Sequence, residues 1–328
     1  MSTMDSDKST GLYTGATENT YKSRPQILSE TLPYQKPTYL IDPNIPPDSY
    51  EYWKDRVVQD QERYLETEGI DKCGEIEFNT DKPHTICLIG DLHSGSGNCN
   101  YNLLHKHFSI IKEHPMVSAV GLGDFTDSIF FGRGMHEQIE NIDNQYRYIY
   151  SALEWTGPEK WLAFWKGQHD RFKGDESRVS IYHECHKRFG AYYFEGPSVL
   201  KVKMGTQEYV LVGNHNWRGN SMYNDTHAEN RASKFGIQGA DVYFGGDTHK
   251  KGISTQVAKT VEGDKFQYFL NVGPYQNTSE YGRYQGFEAN SGSDDSLGAL
   301  WVTLFPDRHS VVVHKTSDEM LEFMKHYL

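Results

Sequence analysis

The chain is poor in the features that mark several large functional classes. No stretch approaches the ~20 consecutive apolar residues needed to span a bilayer, so no membrane helix is expected. Cysteine is scarce: Cys73, Cys87, Cys99 and Cys185 are the only four in 328 residues, and their spacing is neither paired nor metal-type. That excludes a disulfide framework and a thiolate zinc site. Basic residues are outnumbered, 33 Lys+Arg against 45 Asp+Glu, for a net charge of −12. Such a balance gives no strong electrostatic footprint for non-specific duplex DNA or for anionic membrane. Neither common Gly-rich nucleotide loop is present, and no internal repeat is found. The opening residues lack the basic start and apolar run of a secretory signal, so a reduced, cytoplasmic setting is the expectation.

What is present suits a folded enzyme-sized chain: hydrophobic residues make up 37% and aromatics 13%, enough for a large core. The first 80 residues differ from the rest. Six of the 12 prolines (Pro25, Pro33, Pro37, Pro43, Pro46, Pro47) precede residue 50 in polar sequence, which can sustain neither a helix nor a central strand. Residues 1–47 therefore read as an extended arm. Residues 48–68 read as a helix with Asp48 as N-cap and Tyr52, Val57 and Tyr64 as contacts. Residues 1–80 hold 15 acidic against 8 basic side chains, more than half of the net charge in a quarter of the chain.

From Thr85 the pattern becomes regular. TICLIG (85–90), VSAVGLG (117–123) and WLAFWKG (161–167) are short apolar runs suited to buried strands. Between them, Leu104, Phe108 and Ile111, then Ile139, Ile142, Tyr146, Ile149 and Leu153, recur at helical spacing. This alternation predicts βαβ units with parallel pairing. Later, three hairpins are expected around Gly205-Thr206, Glu262-Gly263-Asp264 and Pro306-Asp307, with DVYFGG (241–246) as a further strand and a short terminal helix. Two helix-covered sheets fit this order better than one open sheet. The expected division is 1–80, arm and helix, and 81–328, the catalytic domain.

Metal-type side chains follow the predicted strands one after another: Asp91 and His93, Asp124 and Asp127, Gln168, His169 and Asp170, His215, then Asp247 and His249. Ligand sites in α/β proteins form outside the carboxyl ends of strands. Five strand ends delivering carboxylate, imidazole or amide groups is what a polynuclear site for Mn, Fe or Zn requires. Gly90, Gly123, Gly167 and Gly245-Gly246 each precede a ligand loop, where glycine permits a sharp turn. An isolated Asp or His at a strand end is usually only a turn cap; histidine at four of five such ends is not what ordinary turns select. By contrast, His183-Glu184-Cys185-His186 matches no zinc spacing and reads as a packed helix with Val179, Tyr182 and Phe189. Trp155, Trp161 and Trp165 read as core or groove wall, and Arg133, Arg171 and Arg218 could contact a phosphate.

The ordered set Asp91-x-His93, Gly123-Asp124-x-x-Asp127, Gly167-Gln168-His169-Asp170, His215 and Gly246-Asp247-Thr248-His249, followed by the strand and N-x-G turn of Phe269–Gly273, resembles the calcineurin-like metallophosphoesterase family over residues 85–275. The resemblance implies a four-layer α/β/β/α sandwich of two mixed sheets, here with an irregular N-terminal extension. It implies that Asp91, His93, Asp124 and His249 hold one divalent ion and that Gln168, His215 and Asp247 hold a second, with Asp124 bridging. It also implies that a metal-bound hydroxide attacks phosphorus, that His169 protonates the leaving group and that Asp127 orients His169. Two positions depart from the family pattern: Gln168 stands where asparagine is usual, and Asp247 where histidine is usual. Gln places its amide about 1–1.5 Å further out. Asp replaces a softer nitrogen with a hard oxygen, which favours Mn or Mg over Zn.

Gly213-Asn214-His215 spells the amide motif better than Gly167-Gln168-His169 does, which keeps open a reading with Asn214 as ligand and His227 as the later histidine. The expected activity is that of a metal-dependent phosphodiesterase, nuclease-like in its stand-alone layout, with Mn first among the ions and Fe, Mg or Zn as alternatives. The expected substrate is a phosphate ester, DNA or a nucleotide among the candidates, with no membrane involvement. The competing expectation is a non-catalytic or single-metal binding module on the same fold.

Overall fold

The computed structural model describes residues 49–67, 72–129, 134–170, 181–260, 263–278 and 292–327. The arm, Asp48, Arg133, Arg171 and Val179 lie outside these residues. Two units are distinguished, Met1–Gly69 and Ile70–Leu328. The described part of the first is helix α1 (Tyr50–Thr67). Ser49 opens it, its hydroxyl accepting from the Tyr52 N–H at 3.1 Å, and Val57 is exposed. No helix among the described residues is long and apolar enough to cross a membrane.

The second unit contains β1 (Cys73–Phe78), β2 (His84–Ile89), α2 (Tyr101–Glu113), β3 (Val117–Gly121), α3 (Ile142–Thr156), β4 (Trp161–Trp165), α4 (Ile181–Phe189), β5 (Tyr192–Phe194), β6 (Ser198–Met204), β7 (Gln207–Gly213), α5 (His227–Phe235), β8 (Val242–Gly245), β9 (Gly252–Thr260), β10 (Gly263–Asn271), β11 (Leu300–Leu304), β12 (Val311–His314) and α6 (Ser317–Met324). They form two six-stranded sheets, ordered β1-β6-β7-β8-β10-β9 and β12-β11-β2-β3-β4-β5. Both are mixed: β2, β3, β4 and β5 run parallel, as do β7, β8 and β10, while the three expected hairpins supply antiparallel pairs.

The core falls into three slabs, which establishes four layers. On β2, Ile86 and Leu88 face the other sheet, where they pack with Leu200, Leu211, Val242 and Phe244. Their alternates Cys87 and Ile89 face α2, α3, α4 and α6 through Leu104, Phe108, Leu153, Cys185 and Met320. On the far side, Val212, Tyr243 and Phe269 pack against Ala232 of α5. Strands buried on both faces need apolar residues at every position rather than alternation, which is why TICLIG and VSAVG are unbroken runs.

The structure corrects the reading in detail. Ile139 is not in α3; it is 61% exposed, because the helix starts only after Asn141, whose side chain caps the Asn144 N–H. Sequence reading missed β1, an edge strand that pairs parallel with β6 and places the charged Glu75 near Lys201 and Lys203. The three-residue β5 was missed as well. Trp161 and Trp165 are core, but Trp155 is 49% exposed with the Lys112 ammonium over its ring at 3.9 Å. All four cysteines are free, and only Cys73 is exposed.

Two predictions follow from this packing. Leu88→Ala empties a site between the sheets and should cost about 2–5 kcal/mol in denaturant unfolding; a loss below about 1 kcal/mol would contradict the inter-sheet core. Glu229 on α5 is buried with one carboxyl oxygen unpartnered, and burial pushes its pKa from 4.5 up to about 8. The folded chain thus keeps a proton that the unfolded chain releases, so stability declines as pH rises from 4.5 to 8. Glu229→Gln should flatten that decline by up to about 1.4 kcal/mol per pH unit, read from unfolding free energies across the range.

Candidate metal centre

Both sheets point the carboxyl ends of parallel strands at one place. Asp91 and His93 follow β2, Asp124 and Asp127 follow β3, and Gln168, His169 and Asp170 follow β4. From the other sheet, His215 follows β7, and Asp247 and His249 follow β8. Backbone bonds carry the pairing of β2 and β3 past the strand ends, from Asp91 N to Gly123 O at 3.0 Å, His93 N to Asp124 O at 3.0 Å and Asp127 N to Ser94 O at 3.0 Å. The facing loops are tied across the seam by His215 Nδ1 to the Leu122 carbonyl and by the Asp247 N–H to both Asp91 oxygens at 3.2 and 3.0 Å.

Six described residues other than glycine have positive φ, and five of them are Asp91 (49°), His93 (46°), Asp124 (51°), Asp247 (65°) and His249 (55°). A left-handed backbone at a residue with a Cβ costs roughly 1–2 kcal/mol and persists only where its surroundings impose it. The strain therefore sits on the candidate ligands themselves. Of the glycines flanking them, only Gly123 has positive φ, at 84°. What Gly123 and Gly167 supply is close approach: a Cβ on Gly123 would lie 2.4 Å from the Gly167 nitrogen, and one on Gly167 would lie 2.1 Å from Asp124 Oδ1.

The side chains converge as the strand ends require. Among the described residues, three groups bring potential ligand atoms within 4.8 Å of one another: Asp91, His93 and His249; Asp91, Asp124 and His215; and His93, Asp127 and His169. Asp91 belongs to the first two. His93 Nε2 and His249 Nε2 stand 3.1 Å apart, with Asp91 Oδ1 3.8 Å from the latter. His215 Nε2 lies 3.1 Å from Asp124 Oδ2 and 3.7 Å from Asp247 Oδ1. Gln168 and Asp247, the two departures from the family pattern, touch each other: Gln168 Nε2 donates to Asp247 Oδ1 at 3.1 Å.

Among the described residues, the buried polar side chains at this site are carboxylates and imidazoles. Asp91, Asp124 and Asp127 are almost wholly buried, and burial raises the Asp91 carboxyl above its usual range. Burial also works against charge on the imidazoles; the neighbouring carboxylates outweigh it at His93 and His215, whereas at His249 burial, with the adjoining His93, lowers the pKa to about 3. Asp127 and its neighbours raise His93 to about 9, and Asp124, Asp91 and Asp247 raise His215 to about 10. Carboxylate oxygens and imidazole nitrogens clustered in this way are a donor set that fits divalent metal.

Asp127 and His169 meet differently from the implied pairing. The Asp127 carboxylate lies 2.8 Å from His93 Nδ1 but 4.0 Å from His169 Nδ1; His169 instead uses Nδ1 on the Asp127 main-chain carbonyl at 2.5 Å. Asn214 bonds the Asn216 carbonyl, His227 is exposed at the start of α5, and Arg218 is exposed. The role of Asp170 and a group of glutamines escaped the sequence reading. Asp170, grouped there with the metal-type side chains, accepts from Asp124 N at 2.7 Å, Gly167 N at 3.0 Å and Tyr182 Oη at 2.7 Å. Gln138, Gln145 and Gln276 all bear on Asp127, directly or in sequence. Only Gln145 carried a signal, as a polar residue four before Ile149 in the buried stripe of α3.

No family model matches the chain, and no curated protein matches it. Among solved structures, it is similar to a metallophosphoesterase from Sphaerobacter thermophilus, at 14% identity and TM-score 0.34, over 74% of this chain and 93% of that one. It is also similar to Chaetomium thermophilum Vps29, at 12% and 0.34 over 70% and 96%. A third is the Haemophilus influenzae NAD nucleotidase, at 10% and 0.38 over 71% and 49%. Overlap this loose bears on neither substrate nor mechanism.

Ligation needs neutral imidazole, whereas His93 and His215 hold their second protons up to about 9 and 10. Mn²⁺ binding should therefore expel protons and tighten about tenfold per pH unit for each proton released between pH 6 and 8. Calorimetry in buffers of different ionisation enthalpy reads both effects; a pH-independent affinity would contradict this electrostatic picture.

Proposed function

We propose that the unit from Ile70 onward is a metal-dependent phosphoric ester hydrolase that cleaves phosphodiesters, with a nucleotide or DNA strand as the substrate class. The observation that supports it most is the convergence of five strand ends on a buried carboxylate and imidazole cluster with His169 and His249 at its rim. Asp91, His93, Asp124 and His249 would hold one divalent cation, and His215, Asp247 and Gln168 a second. Bound there, such ions supply the Lewis acidity that draws charge from a phosphoryl group and makes water nucleophilic at neutral pH. The oxygen-rich set, with Asp247 in it, favours Mn or Mg over Zn.

The chain's own residues do the rest. Asp91, His93, Asp124 and His215 are shielded from water, whereas Gln168, His169, Asp247 and His249 are partly open. Substrate enters over that rim. The Asp127 carbonyl can only accept, so His169 donates through Nδ1. In the imidazolium form Nε2 carries the second proton and passes it to the departing alkoxide, which leaves neutral imidazole with its proton on Nδ1. General acid catalysis of this kind contributes roughly 10²–10⁴-fold.

A second reading, a single-metal or non-catalytic module, is favoured by the Gln168–Asp247 hydrogen bond, which engages both departing positions with each other. Hydrolysis of bis-p-nitrophenyl phosphate with added Mn²⁺ distinguishes them. His169→Asn should lower kcat by about 10²–10⁴-fold with Mn²⁺ binding kept, while Asp124→Asn should lose both. One ion per chain and no turnover in the wild type would favour the second reading, and equal loss of binding and turnover in His169→Asn would remove the acid role.

A further inference from the structure

Beyond the ligand cluster, a line of glutamine amides leads from a helix to His93. Gln145, on α3, is 1% exposed. Its two ends are fixed by backbone groups whose roles cannot change. The Ser128 N–H, always a donor, meets Oε1 at 2.9 Å. The Glu140 carbonyl, always an acceptor, meets Nε2 at 2.9 Å. The amide therefore has one orientation only, and Nε2 donates its second hydrogen to Gln138 Oε1 at 2.7 Å. With its oxygen so occupied, Gln138 presents Nε2 to Asp127 Oδ2. Gln276 adds a longer donation to Oδ1 at 3.4 Å. Asp127, receiving donors on both oxygens, is held as an acceptor, and His93 Nδ1 meets Oδ1 at 2.8 Å.

Gly95 makes room for this line: with φ 101°, a Cβ there would lie 2.1 Å from the Gln145 amide carbon. The direction of every bond, from the Ser128 N–H to His93, is thus set by the main chain.

We infer that Gln138 and Gln145 are positioning residues that fix His93 with its proton on Nδ1, leaving the Nε2 lone pair for a cation shared with Asp91 and His249. This rests on the metal-centre reading. Neither glutamine is a ligand and neither touches substrate; they act through Asp127. Hydrogen-bond partners behind metal-bound histidines commonly change metal affinity by about 10–100-fold when removed.

The test compares Mn²⁺ affinity, by calorimetry at fixed pH, in wild type, Gln138→Met, Gln145→Met and the double variant, with the unfolding midpoint of each recorded. Gln138 is partly exposed and its variant is expected to fold, so it carries the test if buried Gln145 tolerates no change. Gln138→Met should weaken Mn²⁺ about 10–100-fold while the unfolding midpoint of the metal-free protein stays near that of wild type. Because both amides act through one carboxylate, the double variant should bind no more than about twofold weaker than Gln138→Met. Losses that multiply, or a Gln138→Met affinity equal to that of wild type, would overturn the relay and leave the metal centre standing. A wild type that binds no Mn²⁺ overturns the metal centre, and the relay with it.

Discussion

Asp91, Asp124, Asp127 and Asp247 crowd one recess, and like charges gathered away from water repel strongly. Several described neighbours offset that repulsion. His93 and His215 are drawn toward their charged forms. The Asp247 and His169 N–H groups point at Asp91 and Asp124. Glutamine amides close on Asp127. Such a recess has the donor chemistry to hold cations, whatever reaction they would then serve.

The recess also needs rigid walls. Five candidate ligands sit in a backbone conformation that their side chains disfavour, and only a framework that leaves no cheaper path can keep them there. Two stacked sheets with apolar residues on three interfaces provide it. Asp170 adds a local brace: one carboxyl oxygen gathers Asp124 N, Gly167 N and Tyr182 Oη. This fixes the angle at which Asp124 leaves β3.

Much of this could be read from the chain. Buried parallel strands must be apolar throughout, so a polar Asp-x-His directly after TICLIG stands out, and the same contrast exposes Asp124, His169, His215 and Asp247. The edge strand β1 has no unbroken apolar run; the alternation of Glu75, Ile76, Glu77 and Phe78 is the weaker signal of a half-buried strand, and it is short. Ile139 kept the helical spacing of α3 but not its hydrogen bonds, since Asn141 caps the helix after it. The glutamine line was hidden for a different reason. Gln138 and Gln145 gain their meaning from partners such as Ser128 and Asp127 in another loop, and no spacing rule encodes that. Positive φ at the ligands was likewise invisible, because the flanking glycines drew the expectation of strain to themselves.

The candidate ligands divide between the sheets: Asp91, His93, Asp124 and Gln168 hang from one, His215, Asp247 and His249 from the other. A cation gripped there is a rivet through the sandwich. Separating the layers means surrendering its coordination, and the unfolded chain, with these donors more than 150 positions apart at the extremes, has no comparable way to regain it. Ion occupancy would thus govern how long the two sheets stay closed on one another as well as what happens at their mouth.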